Sequence, residues 1–163
     1  MPRSTTPSRS PSPRRAVNIN LTAQTFLPAG ITRWLPAQLR KLAALAGVER
    51  ANITLVLVAD KEMAALHEQY KNVKGTTDVL TFDLCDDDSL SIEGDLILCI
   101  DEAARQAKLR GHDTRTELLL YALHGLLHLL NYNDTTPRAY KKMHAKEDEL
   151  LQRAGFGPIF ASK

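Results

Sequence analysis

Apolar positions change period several times along the chain, and each change marks an element. Val17-Asn18-Ile19-Asn20-Leu21 alternates apolar and polar residues, the period of a half-buried strand. Leu35, Leu39, Leu42, Ala43 and Ala46 then fall at helical spacing, predicting an amphipathic helix over 31–46 that stops at Gly47. The β-branched run 53–58 predicts a second strand, and Ala59-Asp60 after it caps a helix through Tyr70. Segments 79–82 and 96–100 are a third and fourth strand, parted by a loop over 85–89 with three consecutive aspartates. Asp101 caps a helix to about Arg110, Thr114 and Glu117 form a capping box for the next, and a more polar helix over 136–153 ends at Gly155. The order β-α-β-α-β-β-α-α-α, without internal repeats, predicts an α+β fold: a small mixed four-stranded sheet with about five helices packed on it.

The helix that opens at Thr114 is apolar almost all round: Leu118, Leu119, Leu120, Leu123, Leu126, Leu127, Leu129 and Leu130 leave it no solvent face. Its polar exceptions, Glu117, Tyr121, His124 and His128, recur at spacings of four, three and four and so share one stripe. Two imidazoles four apart can ligate one divalent ion, and histidines on a buried helix need partners, which a metal supplies. Asp134 is the third ligand predicted, six residues beyond His128. Asn131 stands where the chain must turn to bring Asp134 back, and Asn is the next choice after Gly for a left-handed helix end. His144 is the rival third ligand; in a polar helix, surface exposure is its expected fate. One zinc ion per chain is expected, with manganese or iron the alternatives that a carboxylate in the set also suits.

Charge is unevenly spread. Arg3, Arg9, Arg14 and Arg15 account for four of the 21 basic residues, leaving 17 basic against 19 acidic residues over 16–163. That body is no generic polycation, so nucleic acid would meet it through a local patch. Residues 1–15, rich in Pro, Ser, Thr and Arg, predict a disordered basic tail preceding one domain over 16–163. Their composition loosely fits a transit peptide, but four prolines oppose an amphipathic helix there. No apolar run has the length of a membrane span, and Cys85 and Cys99 make no C-x-x-C, so two reduced thiols in a cytoplasmic protein without a membrane partner are expected.

The segment His124-Gly125-Leu126-Leu127-His128-Leu129-Leu130-Asn131-Tyr132-Asn133-Asp134 resembles the signature H-G-x-L-H-L-x-G-Y-D-H of the YbeY endoribonuclease family. The resemblance extends over about residues 17–155. Thr77-Asp78-Val79-Leu80-Thr81-Phe82 is similar to the family's T-D-V-L-S-F, Gly94-Asp95 to its L-G-D-I strand start, and Tyr70-Lys71 to its Tyr-Arg. Glu117, Met143 and Glu147 match as well. The resemblance implies a metal-dependent, single-strand-specific endoribonuclease acting in ribosomal RNA maturation and ribosome quality control, with ribosomal RNA and the small ribosomal subunit as partners. It also implies that His124, His128 and Asp134 are metal ligands and that Lys71, with the two histidines, is catalytic. Three of the departures from the pattern matter for the chemistry. Asp134 replaces a histidine, Asn131 a glycine, and Lys71 an arginine, which keeps the charge but loses a bidentate grip on phosphate.

The chemistry implied is Lewis-acid activation of a phosphoryl oxygen, with Lys71 pairing a phosphate and either water or the 2′-hydroxyl attacking. Arg138, Lys141, Lys142 and Lys146 either line an RNA groove or form a solvated helix face. Two other function classes compete: a ribosome-assembly binding protein whose metal is structural, and a metallopeptidase. A structural site is closed by four protein ligands; a peptidase needs a base, and Gly125 stands where the zinc proteases carry glutamate.

Overall fold

The computed structural model describes residues 14–86, 90–157 and 159. Nine elements follow in the expected order: β1 (Ala16–Ala23), α1 (Ile31–Leu45), β2 (Arg50–Val58), α2 (Asp60–Lys71), β3 (Val79–Asp83), β4 (Ile92–Cys99), α3 (Ile100–Arg110), α4 (Thr114–Leu129) and α5 (Pro137–Arg153). The sheet runs β1-β2-β4-β3, with β1, β2 and β4 parallel and β3 antiparallel at one edge. The α+β, mixed four-stranded, five-helix architecture expected from the patterning is the one found. The basic segment 1–15, apart from Arg14 and Arg15, and the loop positions 87–89 lie outside the described residues.

Strand alternation decides which helix covers which face. Ile53, Leu55 and Leu57 of β2 and Leu96 and Leu98 of β4 enter the main core with α1, α4 and α5. Val56 and Val58 of β2 and Ile97 of β4 face the other way, onto Met63 and Leu66 of α2. The histidine helix α4 is buried along most of its length, as its leucines predicted. It lies close on the sheet through Gly125: a Cβ there would stand 2.7 Å from Leu96 of β4 and 3.1 Å from the Thr81 hydroxyl of β3.

Three capping expectations are corrected. Asp60 does not cap α2 but is its first residue, and its carboxylate binds Arg105 through two 2.7 Å hydrogen bonds. Asp101 lies inside the first turn of α3, which Ile100 begins although it was expected to end the fourth strand. The Asp101 carboxylate instead accepts the backbone N–H of Asp60 at 2.8 Å, so one helix caps its neighbour. Asp113, one residue earlier than expected, caps α4 by accepting from the Thr116 N–H at 2.8 Å. Glu117 therefore makes no capping box. It is fully buried, 2.9 Å from Arg110 and 2.8 Å from His112.

Candidate metal centre and its cleft

Helical spacing puts His124 and His128 one turn apart, with their Nε2 atoms 3.1 Å from each other. Asn131 takes a left-handed conformation (φ 68°), as the turn requires, and sends the chain back toward the helix. Asp134 Oδ2 comes to 3.5 Å from His124 Nε2 and 4.0 Å from His128 Nε2. The three side chains offer one ligand atom each within a span of 4.8 Å.

Protein acceptors hold the far nitrogens of both rings. His128 Nδ1 lies 3.2 Å from the Tyr132 carbonyl, which can only accept, so Nδ1 carries the proton and Nε2 keeps its lone pair. His124 Nδ1 lies 2.7 Å from Glu147 Oε1 on α5, a carboxylate buried to 1% exposure. This arrangement orients imidazoles toward an ion and raises their basicity. The donor set, two Nε2 nitrogens and one carboxylate oxygen, fits a divalent metal. The partners that buried histidines need are in part supplied by the protein itself, which the sequence reading left to the metal.

His144 is not among the three side chains whose donor atoms converge. It is largely buried, where exposure was expected, because its Nδ1 lies 2.7 Å from Glu147 Oε2. One carboxylate thus binds two histidines, through opposite oxygens. Burial opposes a charge on His124, but Glu147, Asp78 and Asp134 outweigh it and raise its pKa above the ordinary imidazole value. At His128 burial prevails, helped by the neighbouring His124, and the pKa is lowered.

The three ligand candidates open onto a cleft of about 390 Å³ that Lys71, the last residue of α2, also lines. Every predicted site residue therefore meets in one place. Tyr70 beside Lys71 packs edge-on against Phe82 of β3, ring centroids 4.9 Å apart, tying the end of α2 to the sheet. Sequence reasoning gave no role to Asp78 or Glu147, and took His144 only as an exposed rival for the third ligand position. Asp78 lines the cleft and accepts from the Val79 N–H at 2.7 Å and the Thr77 hydroxyl at 3.2 Å, which shapes the entry to β3. The signal available for Asp78 and Glu147 was their place in the motif resemblance; His144 gave none.

The family model described as Endoribonuclease YbeY matches residues 18–155. The chain belongs to the YbeY family. That is a family of RNA-cleaving enzymes by description, and relatives named Endoribonuclease YbeY agree with it. The protein from Nocardioides sp. is 37% identical over 132 residues, 71% of this chain and 89% of its own length. That from Thermobifida fusca is 33% identical, covering 83% of this chain and 92% of its own. That from Frankia alni is 38% identical over 62% of each chain, so this chain spans less than two thirds of that relative. The solution structure of TM1509 from Thermotoga maritima superposes with a TM-score of 0.57, covering 83% of this chain and 90% of its own at 21% identity, and so shares the YbeY fold.

Proposed function

We propose that this YbeY protein is a metal-dependent, single-strand-specific endoribonuclease acting on ribosomal RNA of the small subunit in the cytoplasm. The observation that carries the metal-dependent reading is the convergence of His124 Nε2, His128 Nε2 and Asp134 Oδ2 in a cleft shared with Lys71. The ribosomal substrate and the small-subunit partner rest on family membership.

His124, His128 and Asp134 would hold a divalent ion, zinc foremost and manganese or iron as alternatives, which would supply Lewis acidity toward a phosphoryl oxygen. The chain's own residues do the rest. Tyr132 and Glu147 fix the two imidazoles, and Lys71 presents an ammonium to the phosphate that is cleaved or to its neighbour. A point charge there neutralises developing negative charge but does not fix orientation as a guanidinium fork does.

The competing readings find less support. A structural metal calls for four protein ligands, and three converge among the described residues. A peptidase calls for a base at the position of Gly125, where a Cβ already meets Leu96.

The test combines elemental analysis with cleavage of single-stranded and duplex RNA, by wild type and by His124→Ala, His128→Ala and Lys71→Ala. The expected result is metal lost with either histidine but retained with Lys71→Ala, and single-strand cleavage lost with all three. Full metal occupancy in His124→Ala, or undiminished cleavage without metal, would overturn the reading.

A further inference from the structure

A cavity lies beside the candidate metal centre, not in it. It measures about 460 Å³ and is bounded by the turn after α4, with Asn131, Tyr132 and Asn133, and by the start of α5, with Thr136, Arg138 and Lys142. Tyr132 belongs to both sites, because its carbonyl orients His128 while the residue walls the cavity. Asp134 follows Asn133 directly, so the cavity borders the ion ligands on the side of α5.

Its charge is one-sided. Arg138 and Lys142 are both exposed and line it, and no carboxylate does. Of the other cations of α5, Lys146 and Arg153 both pair with Glu149. Lys142 lies 5.8 Å from the centre of the Tyr132 ring, close enough for the ring face to hold the ammonium over the cavity. Lys141 and Lys146, grouped with these residues from sequence, do not line it. Two cations with no ion pair among the described residues, set against an aromatic wall, favour a polyanion, and in a body with a small excess of acid such a patch does not arise from overall charge.

We propose that this cavity is a subsite for the backbone of single-stranded RNA, in which Arg138 and Lys142 each contact one phosphate to one side of the bond that is cleaved. Lys71 lies in the neighbouring cleft with the ion ligands, so the strand would pass from one cation-bearing cavity to the other across the metal centre. The proposal rests on the RNA-cleaving reading for its ligand, but its test does not need cleavage.

Binding of the full chain to a short labelled single-stranded RNA, 2′-O-methylated throughout, is measured over a range of salt concentrations. Each phosphate contact on a single strand contributes about 0.7 to the slope of log affinity against log salt, so Arg138→Ala/Lys142→Ala should lower the slope by about 1.4. Lys141→Ala/Lys146→Ala removes the same charge from the same helix and should leave the slope nearly unchanged. Equal shifts from the two pairs would assign the effect to the general field of α5 and overturn the subsite, as would no shift from either. Competition by a polyglutamate peptide as strong as by RNA would make the occupant an acidic protein segment and overturn it too. If the slope shifts as expected but unmodified RNA is not cut with zinc or manganese added, the subsite stands and the cleavage reading falls. Cleavage with an unshifted slope removes the subsite alone.

Discussion

Glu147 Oε1 stands 2.7 Å from His124 Nδ1, joining a buried carboxylate on α5 to a metal-facing histidine on α4. The other oxygen is taken by His144 at the same distance, so both oxygens of the carboxylate are engaged. Glu147→Gln puts an amide N–H against one of the two rings and removes the charge that steadies both. Zinc affinity should fall roughly 10- to 100-fold, read by chelator competition. Unchanged affinity would mean that the contact only packs α5 onto α4.

Asp134 tests the departure from the family pattern. Asp134→His should preserve metal binding and shift preference toward nitrogen-favouring ions, whereas Asp134→Ala should weaken binding strongly. Zinc against manganese competition on wild type and both variants measures this. Wild-type affinity in Asp134→Ala would reduce Asp134 to a turn residue.

Gly125 has no room for even a methyl group. With Leu96 at 2.7 Å from an ideal Cβ, Gly125→Ala must push α4 off the sheet or force Leu96 into another rotamer. A loss of about 1–3 kcal/mol is expected from such overpacking, read from urea denaturation. The variant should also hold metal less well, because the displaced helix carries both histidines.

The Arg105 guanidinium beside Asp60 holds that carboxyl down to about 2, well below the usual carboxylate range. A carboxyl lowered by folding contributes stability above its unfolded pKa and loses it as pH falls through the folded one. The melting-temperature gap between wild type and Asp60→Asn should therefore be full at neutral pH, shrink below about pH 4 and close near pH 2. The pair is partly exposed, so added salt should narrow the gap as well.

What could be read from the sequence was local. The His124–His128 spacing, the left-handed turn at Asn131 and the return to Asp134 all lie within eleven residues, where helix geometry alone fixes who meets whom. Element order was legible for the same reason. Strand order was not, since no local pattern tells β4 to insert between β2 and β3. The acidic residues at helix starts misled because capping rules assign each to its own helix, whereas Asp101 serves the N-terminus of α2 and Glu117 is drawn inward by Arg110 and His112. Glu147 sits 23 residues from His124, and only the packing of α5 on α4 brings them together.

The tight seating of α4 on the sheet divides the metal centre into a fixed jaw and a movable one. His124 and His128 cannot shift without dislodging the helix from Leu96, so the spacing of their nitrogens belongs to the core. Asp134 hangs from a turn, over a third exposed, with Oδ2 the more distant of the three donors. Ions of different radius would then be met by travel of the aspartate jaw while the histidine jaw stays still. In the proposed site, the choice between zinc, manganese and iron would thereby fall to the part that can yield without disturbing the fold.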